Sequence, residues 1–404
     1  MDQSVHQPPL LKDLNIYIIF GITLTAIMGV TSIAPALPSI SRSLGVSTGQ
    51  IGLLITFFTL PGILFTPFLG ILADRYGRKR ILIPSLFLFG LAGTACAFST
   101  SFEQLLWFRF FQGMGGAALG VLNLTLIGDI YPKDIRATVM GYNGGVLSVG
   151  TAFYPAVGGA LTLLGWNYPF FLTLLAIPVG LFTLFSLRAP KISEPLKLHL
   201  YFSEIKSALA SRLVAGLFTC IFLTFIMLYG GYITFFTILL DERFNQSAIM
   251  IGFILSGSSF ITAFTSAQLG RLTARFSERT LIIAASVLYF FIFLSIPMID
   301  DIWWFIIPIT AFGVAQGMNI PSILNLITGY AKREYRAAFL SINWMIMRIG
   351  QALGPYLLGI VYLHYHIDGT FYVTTIIAGI FVCVAVLLIS PNKEAKNQSV
   401  NRVT

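Results

Sequence analysis

Charge is scarce in this 404-residue chain. Asp, Glu, Lys and Arg make up only 10% of it, hydrophobic residues make up 56%, and the mean hydropathy is +0.84. A soluble domain carries roughly 25% charge, so the composition indicates an integral membrane protein. Cysteine is scarcer still. Cys96, Cys220 and Cys383 lie far apart and inside apolar runs, with no disulfide or metal-ligand spacing, and read as small buried apolar residues. A phosphate-cradling Gly-Lys-Ser/Thr loop is absent, which excludes an ATP motor within the chain. His364 and His366 have no acid or cysteine partner at ligand spacing, so neither metal, cofactor nor enzymatic catalysis is expected. The opening "MDQSVHQPPLLKDLN" has no basic n-region, short apolar core or small-residue cleavage site; the first apolar run is expected to stay as structure.

What is present is a series of long apolar runs, near 15–37, 50–72, 81–99, 104–130, 138–164, 168–187, 212–240, 248–270, 280–299, 303–330, 338–362 and 370–390. Each is long enough to cross a bilayer as a helix, so the expected fold is all-α, with 12 transmembrane helices. The net charge of +9 would suggest nucleic acid in a soluble protein, but its placement follows topology instead. Lys and Arg crowd the loops on one side, among them Arg75, Arg78, Lys79, Arg80, Lys133, Arg136, Arg271, Arg275 and Arg336, while the opposite side carries Arg42 and Arg243. Basic loops mark the cytoplasmic face, so both termini are expected there, in a multi-pass protein of the cell membrane. Arg109 and Arg348 fall inside spans.

The chain also repeats itself at an offset of 200 residues. Gly70, Leu72 and Arg75 match Gly270, Leu272 and Arg275; Gly52 matches Gly252; Arg136 and Asn143 match Arg336 and Asn343; Gly150, Pro155 and Gly159 match Gly350, Pro355 and Gly359. Aligned Arg, Asn, Pro and Gly at one offset indicate a duplicated six-span half. The expected organisation is a first half over 1–188, a linker over 189–211 whose latter part suits a short interfacial helix, a second half over 212–390 and a tail over 391–404.

Three motifs resemble the major facilitator superfamily. "GILADRYGRKR" is similar to its loop between spans 2 and 3 through Gly70, Ala73, Asp74, Arg75, Gly77, Arg78 and Lys79. "RFFQGMGGA" is similar to its fourth-span motif through Arg109, Gln112, Gly113, Gly115 and Ala117. "GTAFYPAVGG" resembles the fifth-span motif of antiporters through Gly150, Pro155, Gly158 and Gly159, with Tyr154 where a glycine is expected. "ALPSISRSLGVS" is similar to the drug-exporter branch, the drug/proton antiporters with 12 spans. The resemblance implies two pseudo-symmetric six-helix halves rocking around a central site. It also implies that Gly70, Asp74, Arg75, Gly77, Arg78 and Lys79 form a conformational latch, with Asp129 as the arginine's partner, and that Arg109 with Gln112 serves coupling or substrate response.

The residues themselves carry parallel readings. Basic residues suffice to keep the loop inside, whereas a latch also needs the acid and the glycine. Arg109 either snorkels to the interface or serves transport; Glu103, at i to i+6, does not share its face, though it is a candidate for proton coupling. Arg348 sits roughly 15–18 Å into span 11, where an unpaired charge is costly. It either receives an anionic group of a substrate or locks onto carbonyls, Asn343 or Gln351. Asn123, Asn143, Asn325, Asn343 and Gln351 are candidates for the cavity lining or for joining helices, as Tyr229 and Tyr232 are for an aromatic wall or plain packing. Gly150, Pro155, Gly158 and Gly159, with the echo Gly354 and Pro355, suit close helix packing and a sealed, kinked span.

The expected function is export of small amphiphilic compounds by proton antiport, in a monomer that meets substrate, protons and the lipid bilayer but no nucleic acid. Many relatives that couple to protons carry an acid in span 1, and "GITLTAIMGVTSIAPALP" has none. The alternatives are transport of a specific anionic metabolite held by Arg348 and, from another class, a membrane receptor or scaffold that transports nothing.

Overall fold

A computed structural model describes residues 13–187, 211–330 and 336–389. The linker expected over 189–211, apart from its last residue, and the tail expected over 391–404 lie outside the described residues. Apolar runs of this length must satisfy every backbone N–H and C=O within themselves, and the described residues are accordingly helical throughout, with short turns between.

The spans run Leu14–Leu44, Thr48–Thr66, Arg78–Cys96, Phe102–Ile130, Ile135–Thr162, Tyr168–Ser186, Arg212–Glu242, Ala248–Ala267, Glu278–Met298, Ile302–Tyr330 and Ile342–Leu388. The last is broken at His366 (φ 56°, ψ −165°), which divides it into spans 11 and 12 and gives twelve among the described residues. The helix of span 2 continues past its most apolar part to Tyr76, where Gly77 ends it.

Two compact units emerge from the packing. One combines the described residues up to 187 with residues 225–260 and 347–370; the other takes the described residues of 211–224, 261–346 and 371–389. The units therefore cut across the sequence repeat, because the ends of spans 7, 8 and 11 remote from the basic loops pack with the first six spans. In the first unit, Ile16, Ile19, Ile127, Tyr131 and Val139 form a buried cluster near the basic loops. In the second, Tyr289 lies between Phe312 and Phe381, with ring centroids 5.6 and 6.1 Å away.

Span 7 departs from regular α geometry. Met227–Phe236 winds as a π-helix, and the Thr234 hydroxyl donates to the Tyr229 carbonyl five residues back at 2.7 Å. Such wide turns recur at functional sites, and this one contains both Tyr229 and Tyr232.

Candidate functional site

At the basic end, Gly77 adopts φ 99° and ψ 139°, a conformation that disfavours any side chain and lets spans 2 and 3 turn about one residue. The turn delivers Arg78 into the bundle. Its Nε donates to Asp129 Oδ2 at 3.0 Å, with the arginine side chain 10% exposed and the carboxylate 30%. Lys79 Nζ donates to the Leu187 carbonyl at 3.2 Å, tying the same turn to the end of span 6. Arg75 is exposed, its guanidinium over the Tyr76 ring at 5.5 Å, and a side chain on Gly70 would meet nothing within 4 Å. Asp74 lies in the helix, but its side chain is outside what is described. Nearby, the Tyr131 hydroxyl donates to Asp13 Oδ2 at 2.7 Å; burial, then this hydrogen bond and the carboxylate's charge, push the phenol up.

Arg109 turns into the bundle rather than toward an interface and is completely buried. Its Nη1 donates to the Gly29 carbonyl at 2.7 Å and to Gln112 Oε1 at 2.8 Å, its Nε to the Leu54 carbonyl at 3.1 Å, and its guanidinium lies 4.3 Å from the Phe58 ring centre. The charge is thus held by neutral acceptors from spans 1, 2 and 4 and by a ring face. Arg109 Nη2 and Gln112 Nε2 are buried and have no hydrogen-bond partner among the described residues. Glu103 is exposed in the first turn of span 4 and forms no hydrogen bond or ion pair with this cluster among the described residues.

Asn123 and Asn143 meet through a residue that composition and spacing did not single out. Thr23 in span 1 donates to Asn143 Oδ1 at 2.5 Å and accepts from Asn123 Nδ2, so three spans share one buried polar chain. The other amides diverge: Asn343 and Gln351 are buried, whereas Asn325 is exposed. Tyr232 is buried and stacked on Phe236, with centroids 5.3 Å apart.

At the end opposite the basic loops, the repeat pairs interlock crosswise. A Cβ on Gly52 would lie 2.9 Å from Pro355 Cβ and 3.0 Å from its carbonyl oxygen, and one on Gly252 would overlap the Pro155 carbonyl. Gly49 and Gly359 touch backbone to backbone, as Gly159 does with Ala248 and Ile249. Hydroxyls reinforce the crossing at equivalent positions: Thr56 Oγ1 donates to the Ala352 carbonyl at 2.8 Å, and the Ala156 N–H donates to Ser256 Oγ at 3.0 Å. Gly158 packs on the Ser32 backbone, Gly150 on Ile27, and Gly354 on span 7 at Ile226 and Gly230. Ion pairs ring the same end, joining Arg42 to Asp241 and Arg243 to Asp368, while Glu242 accepts from Thr48 at 3.0 Å and from Tyr362 at 2.9 Å.

Arg348 lies between these two ends. Its side chain rests on Gly62, where an added Cβ would meet Cδ, Nε and Cζ at 3.0, 3.1 and 3.3 Å. Tyr229 is close enough for its phenol and the guanidinium to interact electrostatically. Among the described residues neither polar end forms a hydrogen bond or ion pair, and both residues are partly exposed. Gly62, like Thr56 and Ser256, was not singled out by motif spacing, although Thr56 and Ser256 are hydroxyl residues related by the 200-residue offset.

Twelve apolar helices from a duplicated set, with arginines held among them, define a membrane transporter. Residues 19–244 and 220–403 match the family model described as Major Facilitator Superfamily. The chain belongs to that superfamily. It is 26% identical over 389 residues to the quinolone resistance protein NorA of Staphylococcus aureus (strain MRSA252), covering 95% of this chain and 96% of that one. It is 24% identical over 354 residues to the tetracycline resistance protein, class B, of Escherichia coli, covering 85% and 87%. These similarities support the drug/proton antiporter branch. The fold is shared with a D-xylose-proton symporter at a TM-score of 0.77 and 14% identity, over 94% of this chain and 98% of that one.

Proposed function

We propose that the protein exports small amphiphilic compounds across the cell membrane by proton antiport, with two six-helix halves alternating access to a central site. Near-full-length similarity to two resistance proteins carries this reading. A membrane transporter that confers resistance does so by removing the compound from the cell. In this reading both termini and the Gly77 turn are cytoplasmic, and the crossed glycine–proline contacts are the outer seal.

Gly70, Asp74, Arg75, Gly77, Arg78, Lys79 and Asp129 serve as the latch that steadies the cytoplasmic side, a role supported by the Arg78–Asp129 pair and the Lys79 contact with span 6. Arg109 and Gln112 respond to coupling through the backbone carbonyls they hold in spans 1 and 2. Protons ride on carboxylates near the helix ends, with Glu103, Asp74 and Asp129 as candidates, since span 1 offers no acid. A working monomer suffices for this cycle.

The test is a drug and metabolite efflux screen in a host stripped of its main exporters, with and without a protonophore. Lowered accumulation that the protonophore abolishes supports the proposal; unchanged accumulation of every compound removes it.

A further inference from the structure

We infer that Arg348, seated on Gly62 beside Tyr229, is an anion-recognition subsite, so that the preferred substrates are amphiphiles carrying a carboxylate or a similar anionic group. The inference rests on the export reading and narrows its substrate class.

Three observations converge on it. Arg348 stands in a membrane-spanning helix, where an unpaired guanidinium is costly, yet no carboxylate, amide or carbonyl among the described residues bonds to it. An arginine held by the protein's own groups looks different in this same chain, as Arg109 shows: it is fully buried, with three hydrogen bonds and a ring beneath it. Arg348 by contrast is partly exposed, and no described residue accepts from its fork of donors.

Its seat is also shaped for it. Because Gly62 has no side chain, Cδ, Nε and Cζ lie close against span 2, a contact that restricts the guanidinium, while no described residue accepts from its donors. A fixed planar fork is the group that binds a carboxylate through two parallel hydrogen bonds. Beside it, the π-helical turn of span 7 presents Tyr229, stacked on Phe225 with centroids 5.9 Å apart, its hydroxyl bonded to none of the described residues. That hydroxyl suits a second donor to the same anion, and the stacked rings suit the apolar body attached to it.

The experiment uses the full-length protein in liposomes of phosphatidylcholine alone, so that no anionic lipid headgroup competes. The probes are three forms of one naphthalene fluorophore: carboxylate, methyl ester and amine. Binding is read by fluorescence and transport by uptake under an imposed pH gradient. The wild type is expected to prefer the carboxylate over the ester by about tenfold, the worth of a charge-assisted pair, and Arg348→Gln to bring that ratio near one. Arg348→Lys should keep part of the preference. Gly62→Ala, which leaves the charge in place but displaces the fork, should lower it. Tyr229→Phe gives an independent reading should the arginine variants fail to fold, and it too should lower the ratio.

Equal loss of carboxylate and ester binding in Arg348→Gln would overturn the subsite and mark Arg348 as a helix lock; so would a wild type with no preference for the carboxylate. Arg348-dependent binding without transport of any form would uphold the subsite and remove the export reading. Transport of ester and amine without carboxylate preference would do the reverse.

Discussion

Gly252 packs against the Pro155 backbone, and their repeat equivalents Gly52 and Pro355 pack together in the crossed sense, Gly52 against the proline's Cβ and carbonyl oxygen. Two spans of each half thus meet the other half at glycines that carry no side chain, next to prolines inside the helices of spans 5 and 11. A leucine at either glycine would have to push backbone aside, which a packed helix resists. Gly252→Leu and Gly52→Leu are therefore expected to hold this end apart. Cysteine labelling at Thr56 should rise several-fold in Gly252→Leu; labelling equal to the parent would mean the contact does not seal this end.

The Arg78–Asp129 pair makes a different prediction. It is partly exposed, so its contribution after screening is about 1 kcal/mol. Asp129→Asn should slow turnover several-fold while leaving equilibrium substrate binding near the parent value. The exchange Arg78→Asp with Asp129→Arg should recover part of the rate if the pair itself matters, and a double variant as slow as both singles together would show that it does not.

Thr23 links Asn123 and Asn143 across spans 1, 4 and 5. Thr23→Val keeps the shape but removes donor and acceptor, leaving two buried amides without their shared partner. The expected cost is about 1–2 kcal/mol, seen as a lower melting temperature in detergent, with substrate preference unchanged. A shift in substrate preference without loss of stability would place these amides in the cavity lining instead.

Arg109 depends on planar geometry. Lysine retains the charge but cannot reach the Gly29 and Leu54 carbonyls and Gln112 Oε1 together. Arg109→Lys should reduce gradient-driven transport by about tenfold or more while the protein remains folded. Full transport by the lysine variant would show that charge alone is required.

The twelve spans were legible because membrane helices announce themselves through continuous apolar runs, and even the break at His366 falls between two such runs. The repeat was legible for the same reason that Gly52, Pro155, Gly252 and Pro355 stand out: glycine and proline have few substitutes where backbones meet. Motif resemblance pointed to Arg78 and Asp129, which meet at 3.0 Å. It did not reveal Thr23, because a threonine in an apolar span is ordinary until its two amide partners are seen around it. Gly62 was hidden similarly, since its importance lies in a side chain 286 residues away along the chain, that of Arg348. The π-helix in span 7 includes Gly230 where it packs against Gly354, a long-range contact that local sequence does not encode.

Gradient-driven exchange of substrate for protons is tested most directly in everted membrane vesicles containing the protein. With the interior acidified by respiration, a transported amphiphile should accumulate inside and, when added to vesicles at a standing gradient, should release protons measurably in proportion to its uptake. Substrate uptake that persists unchanged after the pH gradient is collapsed, with no proton release, would contradict it.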